Sequence, residues 1–157
     1  MVNLKLLVVG KTKYKWLDEG IRHYLKLMRK HLELNIIIVK DEKITSSKSS
    51  ELILDKEAER IFKYFDKNSF RIVLDSAGKN IPSESLAQLF SDKMNEGYSD
   101  FTFIIGGALG LSQKVVKNCH LKLSLSSMTF THQLSRLVLL EQVYRAFSII
   151  KGEKYHK

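Results

Sequence analysis

Phe101-Thr102-Phe103-Ile104-Ile105-Gly106-Gly107-Ala108-Leu109-Gly110-Leu111 is the stretch whose reading decides the fold. Its first five residues are apolar or β-branched without interruption, the pattern of a strand covered on both faces, as in parallel sheets. The glycine-rich turn that follows lets backbone approach backbone or ligand where a side chain would intrude. Runs of the same kind recur outward from it, at Leu4–Val9, Leu34–Val39, Phe70–Leu74 and Leu121–Leu125. Helical patterns separate them. Leu17, Ile21, Tyr24, Leu25, Met28 and Leu32 mark one apolar face, and Leu54, Ala58, Ile61, Phe62 and Phe65 a second. Pro82 and Ser83 open a third helix carrying Leu86, Leu89, Phe90 and Met94, with Ser83 as N-cap. A short helix begins near Ser112, and a long one runs from about His132 to Ile150. This alternation predicts one α/β domain over residues 1–157 with a mainly parallel sheet.

The final helix has Leu134, Leu137, Val138, Leu139, Leu140, Val143, Phe147 and Ile149 around most of its circumference. Such a helix must be covered on every side, so its spare face predicts a homodimer. Asp41–Ser50, rich in serine and lysine, is the longest candidate for a mobile loop.

Composition narrows the function. Lysine and arginine number 26 against 17 acids, a formal charge of +9 spread along the chain. That excess favours a polyanion such as RNA, although solubility alone accounts for it equally well. Cys119 is a lone cysteine and reads as a small apolar filler. His120, His132 and His156 lack metal-ligand spacing and cysteine or carboxylate companions, so no metal is expected. His23 and His31 look like surface residues of the first helix. The longest early apolar run is far too short to cross a membrane, and a cytoplasmic location is expected.

Open parallel sheets bind ligands beyond the carboxyl ends of their strands, and three ends here carry distinctive turns: Leu74–Gly78, Gly106–Leu111 and Leu125–Thr131. Gly106 and Gly107 either admit a ligand to the backbone or only close a tight turn. Ser126, Ser127 and Thr129 offer hydroxyls, while Leu125, Met128 and Phe130 are able to sandwich a flat ring. A polar strand-to-helix loop is the plainer alternative. His132 shares a helix face with Arg136, or simply caps the helix. Arg145 follows Glu141 by four residues, which suits a structural ion pair as well as an RNA contact. Tyr155-His156-Lys157 reads as a frayed tail, or as a group able to stack on a base and pair with phosphate. Val9-Gly10-Lys11 lacks the spacing of a phosphate loop and reads as a strand-end turn.

Several pieces taken in order resemble one known family across the whole chain. They are Leu7-Val8-Val9-Gly10-Lys11, Asp55-Lys56-Glu57-Ala58, Val73-Leu74-Asp75 with Gly78-Lys79, and the glycine turn with Gly110-Leu111. Further on come Met128-Thr129-Phe130 with His132-Gln133, Glu141–Ala146 and the Tyr155-His156-Lys157 terminus. Together they resemble the small bacterial methyltransferases that modify N3 of pseudouridine 1915 in 23S ribosomal RNA, members of the SPOUT superfamily. The resemblance implies a parallel-sheet fold with helices on both faces, a C-terminal trefoil knot, a homodimer and the assembled ribosome as substrate. It also implies S-adenosylmethionine as methyl donor, bound by Leu74, Gly106, Leu125, Ser126, Ser127, Met128, Thr129 and Phe130. By the same resemblance His156, His132 and Arg136 are catalytic, while Arg145, Tyr155 and Lys157 contact RNA. His156 is the first choice as general base and His132 the second.

Two positions depart from the family pattern. Thr131 stands where proline is common, which predicts a less rigid turn, and Ala108-Leu109 replaces a more polar pair. Neither touches the glycines. The rival readings are a non-catalytic basic RNA-binding module and an enzyme acting on a small nucleotide.

Overall fold

The computed structural model describes residues 1–156. In chain order its elements are β1 (Val2–Val9), α1 (Lys15–Met28), β2 (Leu32–Val39), α2 (Ser50–Phe62) and β3 (Phe70–Asn80). They continue with α3 (Ser83–Asn95), β4 (Asp100–Ile105), α4 (Gln113–Lys117), β5 (Leu121–Ser124) and α5 (His132–Ile150). The strands form one sheet in the order β2-β1-β4-β3-β5, and every pairing is parallel.

Successive side chains of a strand point to opposite faces, so both faces of this sheet are apolar. Leu4, Leu6 and Val8 of β1, with Phe101, Phe103 and Ile105 of β4, face a core shared with α1, α3 and α5. Leu7, Val9, Val73 and Ile104 point the other way, onto Ala58 and Ile61 of α2 and Val115 and Val116 of α4. Helices therefore cover both faces. The final helix lies between α1 and α3. Leu139, Leu140, Val143 and Phe147 are fully buried, while Leu134, Leu137, Val138 and Ile149 are only half-buried.

Several local expectations shift. Leu32 opens β2 opposite Val2 instead of ending α1, because the chain turns at Arg29–His31, where the His31 amide donates to the Met28 carbonyl. His31 is thereby buried against the Tyr144 ring, not exposed. The inward face of α2 carries Ile53, with Leu54 half-buried. Pro82, not Ser83, is the N-cap of α3, and the Ser83 hydroxyl donates instead to Gln142 Oε1. The Asp41–Ser50 loop is fastened at Glu42, which pairs with both Lys48 and Arg60 and sits at a pKa of about 2 through those two bonds.

β3 does not stop at Leu74. Leu74 and Lys79 both lie opposite Leu123, so Asp75–Gly78 bulges out before the strand resumes along β5. An Asx-type bond donated by the Ala77 amide to Asp75 Oδ1 holds the bulge. A Cβ at Gly78 would lie 2.8 Å from the Lys122–Leu123 backbone, so only glycine permits this approach.

Candidate functional site

The bulge after Leu74, the turn after β4 and the loop after β5 open on one side of the sheet, around a cavity of about 670 Å3. That volume suits a small-molecule site. Leu74, Ile105, Leu123, Leu125, Met128 and Phe130 contribute apolar wall; Ser124, Ser126, Thr129 and the glycine backbone contribute polar edge. Asp75 and His132 stand at the margin. Of the eight residues expected around a cofactor, seven line this space. Ser127 does not: it is exposed, and its hydroxyl accepts from Asn80 Nδ2 at 3.1 Å.

The glycine turn closes on itself. A Cβ at Gly106 would lie 2.4 Å from the Gly110 carbonyl oxygen, and the Gly110 amide donates to Gly107 at 3.0 Å. Gly110 sits at φ 82°, where glycine is favoured. Gly106 is thus required first for loop closure, and the open backbone beside the cavity is the result. Ala108 and Leu109 form the exposed tip. In the loop after β5, Ser126 is occupied by its neighbours: its carbonyl accepts from the Ser124 hydroxyl and its own hydroxyl from the Met128 amide. Met128 is left largely exposed.

Thr131 takes φ −61°, the value a proline would impose, and its hydroxyl accepts from the Leu134 amide as the N-cap of α5. The expected loss of rigidity is offset by this cap. The first turn of α5 then places His132 at the cavity and buries Gln133 and Arg136. Burial foremost, then Arg136 and Lys13, lowers the His132 pKa, so the ring is neutral at pH 7. Arg136 is not among the residues lining the cavity, and it donates to the Val9 carbonyl at 2.8 Å and the Thr12 hydroxyl at 3.0 Å. Burial pushes its pKa down to about 10, and its Nε has no partner among the described residues. Gln133 holds the same segment, accepting from the Lys13 amide and donating to the Lys11 carbonyl, each at 3.0 Å. The motif containing Gln133 is visible in the sequence, but its partners, about 120 residues earlier, are not.

Beneath the turn lies Glu57 of α2, buried, its Oε2 without a partner among the described residues and only 3.6 Å from where a Gly107 Cβ would sit. Burial, then Asp41, raises its pKa to about 7. In the sequence Glu57 appears only within the Asp55-Lys56-Glu57-Ala58 motif, which carries no local sign of its burial.

The C-terminal residues gather elsewhere. Arg145 forms the ion pair with Glu141 at 2.6 Å, and the Tyr155 hydroxyl donates to the same carboxylate. The Arg145 guanidinium lies over the Tyr155 ring, 4.8 Å from its centroid. His156 Nε2 meets Glu84 at 2.8 Å, with Nδ1 3.3 Å from Arg145. Lys157 lies outside the described residues. Thirteen residues of α5 separate His132 from Arg145, roughly 20 Å of helix at about 1.5 Å per residue. Within one chain, His132 and His156 therefore belong to different neighbourhoods. Cys119 is half-buried, its thiol raised to about 11 by burial. Among the described residues no group of three or more His, Cys, Asp or Glu side chains is arranged to hold a metal. No described helix is long and apolar enough to cross a membrane.

The chain is similar to known proteins over its length. The family described as "Predicted SPOUT methyltransferase" matches residues 2–156. The ribosomal RNA large subunit methyltransferase H of Halothermothrix orenii is 50% identical, covering 99% of this chain and 100% of its own. Its namesake from Carboxydothermus hydrogenoformans is 46% identical over the same shares. In fold, a probable methyltransferase from Bordetella pertussis superposes with a TM-score of 0.61 at 7% identity, covering 93% of this chain and 95% of that one.

Proposed function

This chain belongs to the SPOUT methyltransferase family, and on that premise we propose that it methylates N3 of pseudouridine 1915 in 23S ribosomal RNA, with S-adenosylmethionine as donor. One observation carries the reading: the ends of three neighbouring parallel strands converge on one cavity with apolar walls, open backbone and a neutral imidazole at its edge. Residues 1–157 act in this proposal as one catalytic domain, in the cytoplasm and on the assembled ribosome. The bulge after Leu74, the glycine turn and the loop after β5 are the three loops of a C-terminal trefoil knot in this proposal. The contact of Gly78 with the backbone of β5 supports so tight a crossing.

The residues fit the donor. Leu74, Leu125, Met128 and Phe130 provide a flat apolar slot for an adenine ring, and Gly106, Ser126 and Thr129 present polar edge. Ser127 supports the loop through Asn80. When bound, S-adenosylmethionine supplies a methyl group activated by its sulfonium centre. The nucleobase nitrogen carries an imide proton that must leave before its electron pair is free. His132, neutral and at the cavity, accepts that proton. Arg136 acts through the segment it holds, as a positioning group.

Arg145, Tyr155, His156 and Lys157 enter through a second copy. Arg145 lies too far along α5 to serve its own cavity, and Tyr155 and His156 pack beside it, so a homodimer across the half-buried face of this helix brings one copy's tail to the other's site. Dimers carrying His132→Ala or His156→Ala alone should be weakly active, and mixing the two should restore activity through hybrid dimers with one intact site. No restoration would refute the shared arrangement.

The central test is to incubate the protein with radiolabelled donor and either intact ribosomes or free ribosomal RNA. Label at a single pseudouridine supports the transferase. Tight RNA binding without label would indicate a binding module instead.

A further inference from the structure

We propose that the exposed strip Lys11-Thr12-Lys13-Tyr14-Lys15-Trp16 is an RNA-stacking platform at the mouth of the cavity, with Tyr14 and Trp16 stacking on unpaired bases and the three lysines meeting their phosphates. The inference deepens the RNA-methylation reading and rests on it. Trp16 is 59% exposed and Tyr14 53%, with ring centroids 6.0 Å apart. Lys11, Lys13 and Lys15 are exposed with them, and no acid interrupts the six residues. Lys13 and Tyr14 line the cavity directly; Trp16 does not, but its ring lies beside that of Tyr14.

Isolated exposed aromatics are common and need no explanation. This pair differs in three ways. Tyr14 occupies the N-cap of α1 and provides no side-chain cap, at a position where serine, threonine or aspartate would stabilise the helix. Local stability has been given up there, as happens at functional positions. Two buried polar side chains, Gln133 and Arg136, spend their hydrogen bonds on the carbonyls of Val9 and Lys11, the Lys13 amide and the Thr12 hydroxyl. The strip is thus held rigid from the same helix turn that presents His132. Finally, lysines alternating with aromatics suit single-stranded nucleic acid, whose bases stack while its phosphates pair. Three exposed lysines make the strip a poor apolar contact for a second copy of a chain of charge +9.

Trp16 is the only tryptophan, so emission reports on this position alone. A single-stranded uridine-rich RNA oligonucleotide, titrated in the presence of S-adenosylhomocysteine, should quench it saturably. Trp16→Leu, which keeps the apolar surface but removes the ring, should weaken binding of the oligonucleotide by about fivefold or more. In methylation assays it should raise KM for ribosomes and leave kcat near wild type. Replacing the three lysines with glutamine should flatten the salt dependence of RNA affinity, by about 0.7 in logarithmic slope per lost phosphate contact. Unchanged emission on adding RNA, or a Trp16→Leu variant with wild-type KM, overturns the proposal. So does blue-shifted emission protected from acrylamide in the free protein, which would assign the strip to a protein contact. If the wild type transfers no methyl group to ribosomes, the underlying reading fails, while the emission titration still decides the strip.

Discussion

Gly106 and Glu57 show how single residues set this site. Any side chain at Gly106 meets the Gly110 carbonyl, so Gly106→Val should open the turn. We expect a stability loss of roughly 1–3 kcal/mol in denaturant unfolding, together with loss of donor binding by calorimetry; unaltered affinity would refute the placement of the donor. Glu57 makes a different prediction. Its pKa, raised from 4.5 to about 7, means the folded chain holds this proton more tightly than the unfolded chain. Ionisation therefore costs stability progressively from about pH 4.5 to pH 7 and fully above that range. Glu57→Gln should stabilise the protein by roughly 2–3 kcal/mol at pH 8, and by only a few tenths at pH 4.5, in chemical denaturation at the two pH values. The glycine was visible in the sequence with its purpose half read; the buried carboxylate was not, because burial depends on the turn that packs over it.

Among the elements, α5 does two jobs at its two ends. Its first turn fastens the segment after β1 through Arg136 and Gln133. Arg136→Ala leaves the Val9 carbonyl unpaired and a void in the core, and should cost about 2–4 kcal/mol of unfolding free energy. Its last turns hold the tail through Glu141, which accepts from both Arg145 and Tyr155. Partly exposed pairs of this kind contribute little to global stability. Glu141→Gln should therefore leave the unfolding midpoint nearly unchanged while hydrogen exchange at residues 152–156 accelerates; unchanged exchange would show that the tail is held by other contacts. The Glu141–Arg145 spacing made the pair legible in advance. The return of Tyr155 and His156 onto it was not, since neither belongs to a periodic element.

For the whole molecule, the half-buried face of α5 is the surface on which the proposed dimer depends. Val138→Glu places a charge there and should yield a folded monomer in sedimentation velocity, with methylation lost because each cavity lacks its neighbour's tail. A wild-type protein that sediments as a monomer would remove the basis for the shared site. Five apolar runs, four glycine or serine turns and the helical spacing between them were enough to place every strand and helix to within a few residues except the far end of β3, because those signals are local. The order β2-β1-β4-β3-β5, the bulge that lets β3 resume beside β5, and the inward turn of Arg136 depend on contacts between residues far apart in the chain. The amino-acid sequence alone determined the α/β class, the basic character and which strand-end turns were candidates for a site. Only the tertiary structure decided that three of those loops share one cavity while the C-terminal histidine lies elsewhere, because nonlocal packing, not local preference, sets which strand ends meet.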